Sequence, residues 1–481
     1  MSTEFYGVDA QIVSSVGATP VSTDTNIIFI GACASGNLNQ AYLITSMSDY
    51  ATKLGGAAGD GYNLSEAAVA AFQIAGLRQV WMIPVSHDIV FDADDYLGDA
   101  SLFTGVYAIE SLLRDTPTAV NILCAPSITD SSVLAALDGV AKLAAGHWQS
   151  FMMYDVVENT DQINESGIAQ AAEIVADKQL ADSHALAVWG HVKTSGGYIV
   201  SGSAVRACLQ AKSDADYDAP ARSGGNLQIP AIQGICLLDV EELESDAMSG
   251  TQSTGSHTQP LKFSASTREY EANAEYFISE LNVTSGEIID PQIIDFNGEI
   301  ALKFDTGTTG VFGYTIKIEQ RTHVGVTLME SAATELSADG ICSYNYYGNG
   351  VYYTWGDHPS IFAGGTVGDE ANRFDNYIRM NMMIANRFQL TWRFSIDNPM
   401  NLSMRNDVIT YELDQLNRLK SRGALIGEPL CEFKPEQNST ADLQLGKFVW
   451  SIACTETPPS KYMKVEVAYT PSGLSVLTQG E

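Results

Sequence analysis

The side chains best suited to chemistry in this sequence are Asp155, His184 and His191. Asp155 lies at the end of the apolar run SFMMYDVV, and the two histidines bracket HALAVWGHV. Carboxylates and imidazoles at strand ends sit where α/β enzymes place acid–base groups. No G-x-S-x-G occurs, and no other nucleophile or oxyanion motif accompanies the three residues. A strand-end carboxylate capping a neighbouring loop explains Asp155 with fewer parts. The spacing of seven from His184 to His191 puts the two rings on opposite faces of one strand, which disfavours a shared metal ion.

Two acidic groups, Asp92, Asp94, Asp95 and Asp214, Asp216, Asp218, alternate as hard-cation ligands do. Neither carries the following glycine and distal glutamate of a calcium loop, so solvated acidic loops are expected. Cys33, Cys124, Cys208, Cys236, Cys342, Cys431 and Cys454 lie singly without C-x-x-C spacing and read as reduced core thiols. Gly446-Lys447 is followed by Phe448, not by the hydroxyl residue of a phosphate-binding loop, and GACASGN after the first apolar run is not G-x-G-x-x-G. The expectation is no catalytic residue, no cofactor and no metal. The alternative is an α/β enzyme with an accessory β domain, acting near Asp155.

The elements that would position these groups follow from apolar patterning. At 481 residues the chain exceeds one ordinary core, so about two to four domains are expected. Apolar runs at 26–34, 41–45, 78–85, 119–127, 150–157 and 184–192 read as strands. Helix patterns fall between them: 46–56 with Ser46 or Ser48 as N-cap, 63–76 ending at Gly76, about 104–115, 131–147 and 164–180. Repeated β-α units with apolar strands imply a largely parallel sheet covered on both faces. Beyond it come a helix at 201–212, an acidic helical turn at 238–246, a linker at 249–260 and a β-hairpin at 299–320. A helix at 328–341 then precedes an aromatic hairpin around Gly348-Asn349-Gly350.

Charge separates the chain into unequal parts. Its net charge is −32, yet residues 371–481 are neutral, with 12 basic and 12 acidic groups. The acidic body excludes a nucleic-acid binder, because no net-basic surface is available to displace counterions from phosphates. Within the balanced region, the apolar spacing of Phe374, Tyr377, Ile378, Met382, Ile384, Phe388, Leu390 and Phe394 predicts a helix of about six turns that stops before Asn398-Pro399. Arg373, Arg379, Arg387 and Arg393 fall largely off that stripe, so a basic face aimed at an acidic partner is expected. A second helix over 405–422 and strands at 444–454 and 461–469 complete the region. The start, MSTEFYGVDA, is polar, and no run approaches the about eighteen apolar residues of a membrane span. Synthesis in the cytosol without membrane insertion is expected.

Several stretches, taken in order, resemble the tail sheath proteins of contractile phage tails, R-type tailocins and related contractile injection systems. They begin with NIIFIGACASGNLNQAYLITSMSDYATKLGG, AVNILCAPSITDSSVLAAL, YDVV and SHALAVWGHV. VSGSAVRACLQAKSDADYDAPA (200–221), ELSADGI (335–341) and TWGDH (354–358) follow. The fullest likeness is in RFDNYIRMNMMIANRF, LNRLKSRGALIGEPL, EQNST and GKFVWSIACTETPPSKYMKVEV. Residues 247–325 lie outside it, and HVK at 191–193 departs from the aromatic-rich end seen in the family.

The resemblance implies a multidomain α/β fold. Its parts would be an N-terminal arm (1–23), an α/β body with a mostly parallel sheet (24–246), an inserted β-rich surface domain (247–325), a connection (326–372), an α+β C-terminal core (373–469) and a C-terminal arm (470–481). It implies a non-enzymatic structural subunit, a virion or tailocin component that polymerises as stacked rings of six around an inner tail tube. Contraction would drive that tube through a target envelope. Baseplate and tail terminator proteins would be further partners, with neither nucleic acid nor membrane bound directly. Assembly would occur in the cytoplasm of the producing bacterium, giving a virion tail or an extracellular particle. Strand-exchanging arms carrying Val8, Ala10, Ile12, Val465, Val467 and Tyr469 would link neighbours by β-augmentation. Arg379, Arg387 and Lys420 are expected to face the tube.

Overall fold

Ile27, Ile28, Phe29 and Ile30 are all fully buried, so both faces of the strand they form must be covered. In the computed structural model, which describes residues 26–472 and 474 apart from 90, 116–120, 142–148, 157–179, 181–183, 246, 264–274, 327, 329, 349 and 366, that strand is β1 (Ile27–Ala32). It lies inside a nine-stranded sheet with β2 (Tyr42–Ile44), β3 (Val80–Ser86), β4 (Ile122–Cys124), β5 (Phe151–Asp155) and β6 (Leu186–Val188). β3, β1, β4, β5 and β6 run parallel in that spatial order, and β2 is an antiparallel edge on β3. The mostly parallel α/β body expected from the sequence is present. The N-terminal residues Val8, Ala10 and Ile12 and the helix expected over 164–180 lie outside the described residues.

Local signals explain several boundaries. Ser46 caps the helix α1 (Met47–Leu54) by accepting from the Asp49 N–H at 3.1 Å. The Ala-rich helix α2 (Asn63–Val69) continues as a wide-turn segment to Ala75 and stops at Gly76 in the left-handed region. The run 184–192 is not one strand. Gly190, at φ +82°, turns the chain out of β6 and into β7 (His191–Thr194), which belongs to a different sheet with β8 (Ile199–Ser201). The long helix α3 (Gly202–Tyr217) follows, and β9 (Gln228–Ile229) lies on the far edge of the first sheet.

The middle of the chain corrects three expectations. The acidic run expected as a helical turn over 238–246 is strand through residue 244, part of β10 (Ile232–Glu244). The presumed linker 249–260 holds β11 (Met248–Gln252) and β12 (Gly255–Pro260). After β13 (Glu275–Ser285) and β14 (Ile289–Phe296) come β15 (Glu299–Thr306) and β16 (Gly310–Val326), expected as a hairpin. Both strands exist, but they pair with different partners. β15 lies between β12 and β14, whereas β16 pairs with β10, β11 and β13. The Gly/Thr-rich turn is a corner between sheets. β10 also pairs with β7, so one ladder runs from the body into the β-rich insert. A separate apolar core that includes Leu243, Leu302, Phe304, Tyr314 and Ile318 fills the insert.

The chain then returns to the body. Helix α4 (Glu330–Ala338) leads to β17 (Ile341–Tyr346), parallel to β6, and to its antiparallel partner β18 (Tyr352–Trp355), the expected aromatic hairpin. Two helices, α5 (Asp375–Trp392) and α6 (Leu402–Ser421), and a two-stranded sheet of β19 (Leu425–Glu432) and β20 (Ser451–Glu456) make the C-terminal domain. Residues 461–469, expected as a strand of this domain, form no regular element. Among the described residues no helix is long and apolar enough to cross a membrane.

Candidate subunit interface

Helix α5 belongs to two cores at once. Ile378 and Met382 pack into the body, while Met380, Met383 and Ile384 pack with Leu416, Leu419 and Ile452 of the C-terminal domain. A helix covered on both sides must satisfy every polar side chain it carries. Asp375 reaches Arg206 of α3 at 3.3 Å and the Gly224 N–H at 3.1 Å. Burial pushes the Asp375 carboxyl up, and the guanidiniums of Arg379 and Arg206 oppose that shift. Asn386 exchanges two hydrogen bonds with the backbone of Gln149, accepting at 2.8 Å and donating at 2.7 Å.

This environment overturns the expected tube-facing arginines. Arg379 is 4% and Arg387 6% exposed. Arg379 forms an ion pair of 2.5 Å with Asp214 and donates to the Arg222 carbonyl at 3.0 Å. Arg387 lies over the Tyr411 ring at 5.2 Å, close to the buried Glu412, whose carboxylate accepts from the Trp392 indole at 2.6 Å. Burial raises the Glu412 carboxyl to about 7, while Trp392 and Arg387 lower it. Neither arginine is available to another molecule. Asp214 is likewise not a solvated loop residue, since it occupies the last turn of α3 facing α5. Lys420 remains partly exposed and pairs with Glu428.

Asp155 is also a structural residue here. Its carboxylate accepts from the Ser127 N–H at 2.9 Å, the Ser201 hydroxyl at 2.7 Å, the Ser203 N–H at 2.9 Å and the Ser203 hydroxyl at 2.8 Å. It thereby ties β4 and β5 to the N-terminus of α3. The structure brings His191 to this cluster, with Nε2 3.3 Å from the Ser127 hydroxyl. Ser127 donates to Glu66 at 2.8 Å, so its hydroxyl already serves a carboxylate. Asp92 caps a short helical turn through the Asp94 N–H at 3.0 Å. No cluster able to hold a metal ion exists among the described residues.

The opposite situation holds after β20. Thr457 is still fixed, its N–H donating to the Ala424 carbonyl at 3.2 Å and its hydroxyl to the Gly423 carbonyl at 2.7 Å. Beyond it, Tyr462, Met463, Val465, Val467 and Tyr469 are 81–89% exposed. Five large apolar side chains on this one short segment stand in solvent, an exposed apolar surface of the kind found at interaction sites. Beside it, β19 and β20 pair only with each other among the described residues, leaving an open edge on each strand. Ile426 and Leu430 are exposed on β19.

No family model matches the sequence, and no curated protein matches it. Solved structures do. A chain of the anti-feeding prophage baseplate aligns with a TM-score of 0.57 at 13% identity, covering 98% of this chain and 99% of that one. The sheath complex of the PVC extracellular contractile injection system, in its contracted state, gives 0.57, 13%, 98% and 99%. The contracted helical sheath of the anti-feeding prophage gives 0.56, 13%, 98% and 100%. The chain has the fold of a contractile sheath protein. On this sheath fold the buried joint is α5, and the exposed apolar features are the segment after Thr457 and the β19–β20 edges. Arg379 lies between Ile378 and Met380, which pack into different cores, so its side chain is enclosed at the joint between them.

Proposed function

We propose that this chain is the non-catalytic structural subunit of a contractile sheath, polymerising around an inner tail tube and contracting to drive it through a target cell envelope. What supports this most is a sheath fold over 98% of the chain combined with an apolar extended segment held in solvent beside open strand edges. Rings of six are proposed in line with the 6-fold symmetry of the similar baseplate assembly. The arms, carrying Val8, Ala10 and Ile12 at one end and Val465, Val467 and Tyr469 at the other, add strands to the C-terminal sheets of neighbours. Main-chain bonding of that kind survives rotation of the bodies it connects. The division into body, insert 247–325 and C-terminal core accompanies this reading, with the insert on the outer surface. Lys420 remains the proposed tube-facing cation. Baseplate and terminator proteins close the two ends of a particle that assembles in the bacterial cytoplasm. Electron microscopy of the purified chain tests the reading. Long striated hollow polymers are expected, and discrete monomers or dimers at every salt concentration would overturn it.

A further inference from the structure

The exposed segment is pinned at one point before it enters solvent. Asp357, directly after Gly356, is fully buried, and its carboxylate forms an ion pair with Lys461, whose side chain is 40% exposed. The second oxygen of Asp357 has no hydrogen-bond partner among the described residues, and Lys461 supplies a counter-charge to this carboxylate. The Lys461 ammonium also sits 5.5 Å from the centre of the Phe374 ring, at the entrance to α5. Between Thr457 and Lys461 lie Pro458 and Pro459, which restrict the backbone and make this stretch a stiff spacer. From Tyr462 to Ser472 the side chains are exposed.

The pin reaches the interdomain joint directly. The Asp357 carbonyl accepts from the Asp375 N–H at 2.8 Å, and the Gly356 carbonyl accepts from Arg206 at 3.0 Å. Asp375 in turn meets Arg206 and, at 4.0 Å, Arg379, which holds Asp214 of α3. A continuous path of buried charges and backbone bonds therefore connects the root of the exposed segment to the contact between α5 and the body.

We propose that Lys461 is a positioning residue. Its ion pair with Asp357 fixes the direction in which the C-terminal arm leaves the subunit and is the point where load on the arm enters the α5–body joint. The inference rests on the sheath reading for the identity of the arm. Its test does not need polymers. A pair of spin labels, one at residue 465 and one on an exposed body position, reports the arm's distance distribution in the full-length chain below assembly conditions. In the unmodified pair the distribution is narrow. Lys461→Met and Asp357→Asn should each widen it by about two-fold or more, and Lys461→Arg should restore it. Asp357→Asn removes the buried charge as well as the pin, so it keeps the test valid if Lys461→Met fails to fold. A distribution unchanged in folded Asp357→Asn or in folded Lys461→Met overturns the pin. Polymer formation by the same proteins, viewed by electron microscopy, separates that outcome from failure of the sheath reading, which shows as absence of polymers in the unmodified chain.

Discussion

Helix α5 and the segment from Lys461 to Tyr469 carry opposite signals in sequence and opposite fates in the fold. The helix is studded with cations and buried; the segment is rich in Tyr, Val and Met and exposed. The difference lies in partners. Every cation on a buried face needs a specific acceptor, and α5 finds Asp214, the Arg222 carbonyl and the Tyr411 ring. An apolar strand needs a mate at its backbone and a surface under its side chains, and, among the described residues, 461–469 pair with no strand and are exposed. Composition reports what a segment must bind, and burial in the single chain reports whether it has bound it already.

The strongest way to break this comparison is to remove the partner that makes the buried arginine tolerable. Arg379→Met leaves Asp214 in a dry site without its guanidinium and should cost about 3–5 kcal/mol in chemical denaturation. Replacing both members, Asp214→Leu with Arg379→Met, should recover most of that loss, because neither member then leaves the other's charge buried without its partner. A loss below about 1 kcal/mol, typical of surface ion pairs, would mean that the arginine is solvated after all.

Glu412 gives the next effect. Its carboxyl is raised from an ordinary 4.5 to about 7. Between those values the folded chain holds a proton that the unfolded chain has lost, so this group's contribution is fully present below pH 4.5 and is lost as pH rises through 7. Two and a half pH units correspond to about 3 kcal/mol, an upper figure for a site that can relax. Glu412→Gln keeps an acceptor for Trp392 and should flatten this part of the stability–pH curve, raising the melting temperature at pH 8 more than at pH 5. An equal shift at both values would place the cause outside this carboxyl.

Much of the fold was legible because it depends on local pattern. β1 and β4 are unbroken apolar runs, β5 is one up to Asp155, Ser46 is a sound cap, and Gly76 ends its helix. What escaped depends on residues far apart in the chain. The acidic run in β10 reads as a helix until Lys317, 75 residues beyond Glu242, meets it at 3.2 Å and meets Glu280 of β13 at 3.4 Å. Arg379 reads as a surface cation until Asp214, 165 residues earlier, is placed against it. The alternation in 299–320 was sound for each strand, but a corner and a hairpin turn share the same Gly and Thr residues. Residues 461–469 failed in the other direction: their pattern specifies a strand, and among the described residues no strand pairs with them.

Smaller effects test the exposed side. Lys420→Glu breaks one partly solvated pair with Glu428 and should change stability by no more than about 0.5 kcal/mol. If Lys420 faces the tube, the same variant weakens co-assembly with the tube protein, measured by co-sedimentation; unchanged co-assembly removes it from that face.

The arm itself should register least in folding and most in assembly. Val465 and Val467 are among the most exposed apolar residues of the chain, so Val465→Asp with Val467→Asp takes nothing from any core and should shift monomer stability by less than about 0.5 kcal/mol. In a strand added to a neighbour's open edge, residues two apart share one face, and both aspartates would be pressed onto the same apolar surface or into solvent together. The two faces are therefore distinguishable. If positions 465 and 467 point inward, the double variant abolishes polymers, while Lys464→Asp with Glu466→Lys leaves them intact. Loss of polymers in the second pair alone would reverse the register, and polymers surviving both would remove this segment from the subunit contact.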